Sequence, residues 1–396
     1  MRILFANDGV GDAGGVQNYL AAVIPALAAR GHQAALLHLD PVRPGEPSPA
    51  PAGTPHFCMA ERGMDAALAE AVAWAPDVAF IHNMRPLHVD GTLMDAVPTV
   101  KMMHGYFGTC ISGLKSHQWP AVVPCAKPLG PGCVPVYAAR KCGRMRPGAV
   151  LDGWRWANEQ NGLFDGYAAI VTASRHMRDE YVRNGALASR VHAIPLFPTI
   201  AGEPAPAPDA FRLLFLGRMT AMKGGDVLIR AVADAAQALG RPISLTMAGD
   251  GPQRAAWERL ARRLGVDAAF TGWVDDDGRA ALFRSASVLA VPSVWPEPVG
   301  RVGLEAGVFG VPSIGFDVGG IDDWLTDGVN GWLVPGDPPS VHDLAAALLR
   351  AARAPDVMAG MRTGAREVAE RMSLERHVDA VERVLSAAVA SGIPAE

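Results

Sequence analysis

The stretch Val291-Pro-Ser-Val-Trp-Pro-Glu-Pro-Val-Gly-Arg-Val-Gly-Leu-Glu-Ala306 constrains this chain more than any other. Ser287 to Val291 is short, apolar and β-rich, which reads as a buried strand. Pro296 and Pro298 bracket Glu297 and hold it in a stiff loop. Gly300 to Phe309 then carries apolar residues at helical spacing and stops at Gly310 and Pro312. Such a strand–loop–helix unit leaves free N–H groups at the helix start, which suits an anionic ligand. Glu297 and Glu305 beside that point would repel a bare phosphate. They suit hydroxyls, and a sugar nucleotide offers phosphates and hydroxyls together.

The same unit recurs along the chain. Residues 2–6 read as a strand, followed by Gly9, Gly11, Gly14 and Gly15, an Ala-rich helix to about Arg30 and a strand at 34–39. This is the start of a doubly wound α/β sheet. Gly9, Gly11 and Gly14 satisfy G-x-G-x-x-G with Asp40 after the second strand, although Asn7 and Asp8 intervene before the first glycine. The loop serves either a plain turn or the close approach of a ligand or second domain. Pro41 to Pro55 reads as a surface loop. A helix near 61–73 and strands at 78–82 and 98–103 follow, the last ending in His104-Gly105. Ligands bind at strand carboxyl ends in open α/β sheets, which makes His104 a candidate. A helix near 152–163, a strand at 168–173 and a helix capped by Ser174 complete the first half.

Residues 195–209 hold five prolines and read as an interdomain linker. Strands are then expected at 212–216, 243–248, 269–271, 287–291, 313–316 and 332–334. The helices expected with them are 224–239, 253–264, one opening near Gly320, 340–371 broken near Pro355, and 374–390. The expected organisation is two Rossmann-like doubly wound domains, 1–200 and 201–375, facing a cleft. Residues 376–396 form a last helix that packs back on the first domain.

A net charge of −4 argues against nucleic acid, and no run of about 18 apolar residues exists to span a bilayer. Met1 to Asn7 lacks the length of a signal peptide, so a cytoplasmic location is expected, at most on the inner membrane surface. Residues 104–151 contain no Asp or Glu but carry Lys115, Lys127, Arg140, Lys141, Arg144 and Arg146, with Tyr106, Trp119 and Tyr137 interspersed. They read either as a solvated insertion or as a basic, aromatic surface for an anionic acceptor or membrane. Cys110, Cys125, Cys133 and Cys142 fall in this segment without a C-x-x-C spacing, so metal binding and reduced thiols both stay open.

Gly217-Arg218 and Lys223-Gly224-Gly225 join another strand end to a helix start, where two cations would neutralise a diphosphate. Gly249-Asp250-Gly251-Pro252 and Gly319-Gly320 are further strand-end turns. With Glu297-x7-Glu305, these motifs resemble the retaining glycosyltransferases of the GT-B fold, glycosyltransferase family 4 (group 1). The match is strong over about 211–336 and weaker over 1–40, 98–105 and 168–198. The resemblance implies that Glu305 holds the donor ribose, Glu297 a hydroxyl of the transferred sugar, and Arg218 with Lys223 the diphosphate. It places His104 near the anomeric centre, Gly15 at the phosphates, and Gly217, Gly249, Gly251 and the backbone of Val299, Gly300 and Arg301 around the donor. Val299 stands where an aromatic residue is common and Arg301 where a small aliphatic one is, which bears on donor identity.

The implied reaction moves a sugar from a UDP- or GDP-linked donor to a hydroxyl acceptor, lipid-linked or polysaccharide, in cell-envelope biosynthesis. It needs no cofactor and no metal, since Arg218 and Lys223 neutralise the leaving diphosphate. The acidic run Asp275-Asp276-Asp277 reads as a helix cap rather than an ion site. Without an obvious nucleophilic carboxylate, a front-face displacement is expected. The alternatives are a sugar-nucleotide epimerase or hydrolase on the same fold, a nicotinamide-dependent oxidoreductase built on Gly9, Gly11 and Gly14, and a non-catalytic scaffold.

Overall fold

The computed structural model describes residues 1–11, 14–42, 48–146 and 148–392. Parts of the first glycine loop and of the loop expected at 41–55 therefore lie outside the described residues. The first sheet contains β1 (Arg2–Asn7), β2 (Gln33–His38), β3 (His56–Cys58), β4 (Val78–Ile81) and β5 (Thr99–Met103). After a small hairpin of β6 (Ser116–His117) and β7 (Val123–Pro124), it gains β8 (Ala169–Thr172) and β9 (Val191–Ala193). Its strand order is β3-β2-β1-β4-β5-β8-β9, parallel throughout. The second sheet holds β10 (Arg212–Leu216), β11 (Ser244–Ala248), β12 (Ala268–Gly272), β13 (Val288–Val291), β14 (Ser313–Phe316) and β15 (Gly331–Val334). Its order is β12-β11-β10-β13-β14-β15, again parallel.

Parallel sheets covered by helices on both faces need strands apolar on both sides, and β4, β13 and β14 are buried along their full length. In each sheet the direction of winding reverses once, between β1 and β4 and between β10 and β13. The carboxyl ends of those strand pairs are where such folds take ligands. The doubly wound, two-domain α/β expectation holds.

Some elements differ from the sequence reading. Neither β9 (Val-His-Ala) nor β3 (His-Phe-Cys) is long enough to show periodicity, and the helix Leu87–Ala96 carries Gly91 and a buried Asp90 in its middle. The helix expected near Gly320 is a single 3-10 turn, Ile321–Asp323. The helix expected from Gly300 begins at Val302, because Gly300 has φ +75° and cannot join it.

The domains are closely joined. Residues 195–209 have no regular structure yet are not a free tether, since Phe197 and Ile200 are buried. The helix Leu374–Ser391 lays Val378, Val381, Leu385 and Ala388 into the first domain's core beside Ile3, Tyr19 and Leu20. At its start His377 Nδ1 donates to the Pro195 carbonyl at 2.7 Å, so its Nε2 must accept the Tyr19 hydroxyl at 2.9 Å. Asp323 crosses from the second domain to the helix Arg175–Arg183, accepting from the Arg175 backbone N–H at 2.8 Å and its Nε at 2.7 Å. A carboxylate at a helix N-terminus is favourably placed against the dipole.

Candidate functional site

The loop after β13 places Glu297 against the loop after β10. Glu297 is 3% exposed, and one of its oxygens accepts from the Lys223 ammonium, Ser293 Oγ at 2.6 Å and Trp295 Nε1 at 3.0 Å. Burial alone would raise its pKa, but Lys223 and these hydrogen bonds outweigh burial and hold the carboxyl below its ordinary value. The backbone is pinned as well: the Gly320 N–H donates to the Glu297 carbonyl at 2.7 Å. Gly319, at φ +64°, lies so close that a Cβ there would sit 2.2 Å from the same oxygen. Gly320 in turn abuts Ser174 of the first domain. The Gly-Gly pair thus seats the Glu297 loop and lets the two domains meet.

Glu305, in the helix Val302–Val308, is also 3% exposed and bound on both oxygens. Thr199 from the linker donates to one at 2.8 Å and Arg279 Nη1 to the other at 3.0 Å. Arg301 Nε lies 3.6 Å away, beyond a hydrogen bond. Arg279 is also tied to Asp276 at 2.7 Å, while Asp275 caps the same helix through the Gly278 N–H at 2.8 Å. The acidic run therefore serves as a cap and as a brace for Arg279, a site residue that the motifs do not flag.

The other expected donor residues fall into three groups. Arg218 is exposed, and its side chain makes no hydrogen bond or ion pair among the described residues. Gly217, Gly249 and Gly251 pack loop on loop: a Cβ on Gly249 would sit 2.1 Å from the Gly217 carbonyl, and one on Gly251 2.5 Å from that of Met219. Their first duty is to let these two loops touch and so to position Arg218. The Val299 carbonyl is taken by Trp324 Nε1 at 2.6 Å and its side chain is buried, which leaves its N–H for any ligand. Gly15 is the exposed first residue of the helix Gly15–Ala29, with open space where a side chain would be.

His104 stands at the carboxyl end of β5, its Nε2 2.9 Å from Nδ1 of His82 at the end of β4. Burial, reinforced by Lys101, His377 and Arg301, pushes its pKa down to about 3, so the ring is neutral at working pH. His82 is fully buried, also lowered, and its Nε2 has no partner. It was legible in principle, since the strand-end rule that flags His104 applies to it equally.

A cavity of about 480 Å³ opens between the domains beside the Glu297 loop, lined by Pro296, Gly319, Arg175 and His176 with Asp179, Asp317, Asp322 and Asp337. Arg218, Lys223 and Glu305 do not line it, so it adjoins their constellation without containing it.

The insertion is less basic on its surface than its sequence suggests. Lys115 is 1% exposed and paired with Glu180 at 2.7 Å, and Tyr106 and Tyr137 are buried. What remains outside is Trp119, Val134, Met145 and Leu151, with Lys127, Arg140, Lys141, Arg144 and Arg146. Lys141 lies 4.5 Å over the Trp119 ring. Among the described residues no three His, Cys, Asp or Glu side chains converge as metal ligands, so the cysteines have no metal set there. Cys142 instead meets His117 at 3.4 Å, and burial pushes its thiol up to about 11. Among the described residues no helix is long and apolar enough to cross a membrane.

The profile of the glycosyl transferases group 1 family matches residues 210–353. A D-inositol 3-phosphate glycosyltransferase of Saccharomonospora viridis is 36% identical over 235 residues, 56% of this chain and 51% of that protein. An uncharacterized glycosyltransferase of Methanocaldococcus jannaschii is 38% identical over 136 residues, 34% of each. The chain spans about half, or less, of the length of these curated relatives. Among solved structures, Anabaena HepE in complex with UDP aligns with TM-score 0.69 at 19% identity, over 98% of this chain and 100% of that one. Sucrose-phosphate synthase from Thermosynechococcus elongatus aligns with TM-score 0.71 at 20% identity, over 98% and 99%. Residues 210–353 match the glycosyl transferases group 1 model, and the two domains take the GT-B fold of these solved structures.

Proposed function

We propose that the protein is a retaining glycosyltransferase that moves a sugar from a nucleotide-sugar donor to a hydroxyl acceptor without a metal. The observation that carries this reading is the pair of buried carboxylates, Glu297 and Glu305, each held by a cation at the winding reversal of the second sheet and facing the first domain. Glu305 takes the ribose hydroxyls and Glu297 a hydroxyl of the transferred sugar. HepE has been solved with UDP and with UDP-glucose, which supports a uridine or similar nucleotide donor. Breaking the sugar–phosphate bond puts negative charge on the leaving diphosphate and positive charge on the ring. Arg218, Lys223 and the N–H groups opening the helix Val302–Val308 stabilise the first charge as fixed dipoles and cations do in a dry site. The leaving phosphate oxygen takes the acceptor's proton on the same face, and His104 lines the anomeric centre as a neutral hydrogen-bonding group. Gly15 borders the phosphates from the first domain.

The acceptor enters through the cavity beside the Glu297 loop. Four aspartates in its lining suit the hydroxyls of a sugar or polyol and disfavour an acceptor phosphate at that point. The exposed surface of the insertion, with Trp119 and five cations, rests on an anionic membrane surface where a lipid-linked acceptor is presented. Co-sedimentation with vesicles containing phosphatidylglycerol, absent with neutral vesicles, is the expected result for that contact.

The test of function is product analysis with UDP- and GDP-sugars and a panel of hydroxyl acceptors in excess chelator. A new glycoside with the donor's anomeric configuration is expected. Water-only turnover would favour the hydrolase alternative, an inverted product or dependence on added metal would contradict the mechanism, and a trapped glycosyl-enzyme adduct would exclude front-face displacement.

A further inference from the structure

The cations around the site are not equally free. Lys223 is spent on Glu297, and Arg279 on Glu305 and Asp276. Two guanidiniums remain without a hydrogen bond among the described residues, Arg218 at the rim and Arg301 within. Arg301 has a side chain only 23% exposed, and its one charged neighbour within 4 Å is Glu305, through Nε at 3.6 Å. Its two Nη groups have no partner among the described residues, yet they are not sealed in, since neither belongs to the buried unsatisfied atoms. A guanidinium that is mostly buried, open to the cleft and without a hydrogen bond among the described residues is available to a ligand.

We infer that the Arg301 side chain is a ligand of the donor's diphosphate, beyond the Gly-Arg-x4-Lys motif and beyond the backbone contact that the family resemblance implies. The inference rests on the donor reading above, in which Glu305 marks the ribose and His104 the anomeric centre. Arg301 caps the helix that carries Glu305, four residues before it, and its Nε lies 3.6 Å from that carboxylate. Its guanidinium therefore stands beside the residue assigned to the ribose, and the diphosphate is the next group of the donor. The diphosphate brings about two negative charges, and Arg218 and Arg301 add guanidiniums without a hydrogen bond among the described residues to a Lys223 that Glu297 shares. A planar fork of donors also suits two phosphoryl oxygens better than a point charge does.

The experiment compares nucleoside with nucleoside diphosphate, uridine with UDP and guanosine with GDP, on the full chain, with ligand-observed NMR for the weak nucleosides. The variants are Arg301→Leu and Arg301→Lys, each checked for native folding by thermal melting. Arg301→Leu is expected to weaken the preferred diphosphate about tenfold or more, as for a lost charge-assisted hydrogen bond. Its nucleoside should move by less than about threefold, and Arg301→Lys should recover part of the loss. An equal loss for nucleoside and diphosphate would show that Arg301 only braces Glu305, and no loss would remove it from the site; either overturns the inference while the donor reading stands. Wild-type protein that binds neither diphosphate overturns both.

Discussion

At the carboxyl end of the first sheet stand His82, buried, and His104, half-buried, both neutral and bonded to each other. At the matching end of the second stand Glu297 and Glu305, buried and each tied to a cation, with the Glu297 carboxyl held below its ordinary value by Lys223 and its hydrogen bonds. The two domains share one winding plan and fill its ligand-binding end with opposite chemistry. A charged, hydrogen-bonded wall fits the half of the reaction that holds a diphosphate and ribose. A neutral wall fits the half where a cation-like sugar meets a hydroxyl, since a protonated histidine there would repel the developing positive charge. Burial is the common lever: it neutralises an unpaired histidine, whereas a carboxylate with Lys223 against it stays ionised.

The largest effect expected from that contrast is on turnover. Glu297→Gln removes the ionised acceptor from the second wall and should lower kcat by about 100-fold, with nucleoside diphosphate affinity within about threefold. Progress curves paired with calorimetry check this, and an affinity loss as large as the kcat loss would mean that Glu297 serves the nucleotide instead. In the first wall, His104→Phe keeps an apolar ring of similar size and removes the hydrogen bond, with an expected loss of about tenfold in kcat. No loss would show the histidine pair to be core packing.

The neutral wall also predicts how stability follows pH. His104 is held at about 3 and His377 at about 4, while both titrate near 6.5 when unfolded. Between those limits the unfolded chain binds more protons than the folded one. Stability is therefore full above about pH 6.5 and falls as pH drops below it, by about 1.4 kcal/mol per pH unit for each such histidine. Melting curves between pH 7.5 and 5 should show this decline, and His377→Gln should make it shallower; a level Tm across the range would contradict the assignment of buried neutral rings. The smallest effect concerns how the walls are held together. Asp323→Asn weakens an interdomain ion pair whose arginine is 67% exposed, so about 0.5–1 kcal/mol of stability is expected to go, read as a shift in the urea midpoint.

The second domain was the more legible in sequence. β10, β11, β13 and β14 fall within a residue or so of their expected bounds because the interior strands of a covered parallel sheet are largely apolar runs. Glu297 and Glu305 stood out because their spacing is local. Arg279 did not, since its partner lies 26 residues on and only the fold joins them. Gly249 and Gly251 were visible as strand-end glycines, but that they meet the backbone of Gly217 and Met219 is a contact between two loops that no spacing encodes. In the first domain His104 was flagged by its strand end, whereas Tyr19 and His377, 358 residues apart, come together only when the last helix docks. The insertion misled for the same reason, because Lys115 counts as a surface cation until Glu180 is placed beside it.

The central claim is that the ionised wall of the second domain grips the nucleotide end of an activated sugar. Calorimetric titration of the full chain with UDP, GDP, ADP and dTDP tests it directly, with Glu305→Ala alongside. Saturable 1:1 binding of at least one diphosphate, weakened about tenfold or more in the variant for the lost ribose hydrogen bonds, is the predicted result. Four flat titrations of folded wild-type protein, or an affinity that Glu305→Ala leaves unchanged, would contradict it.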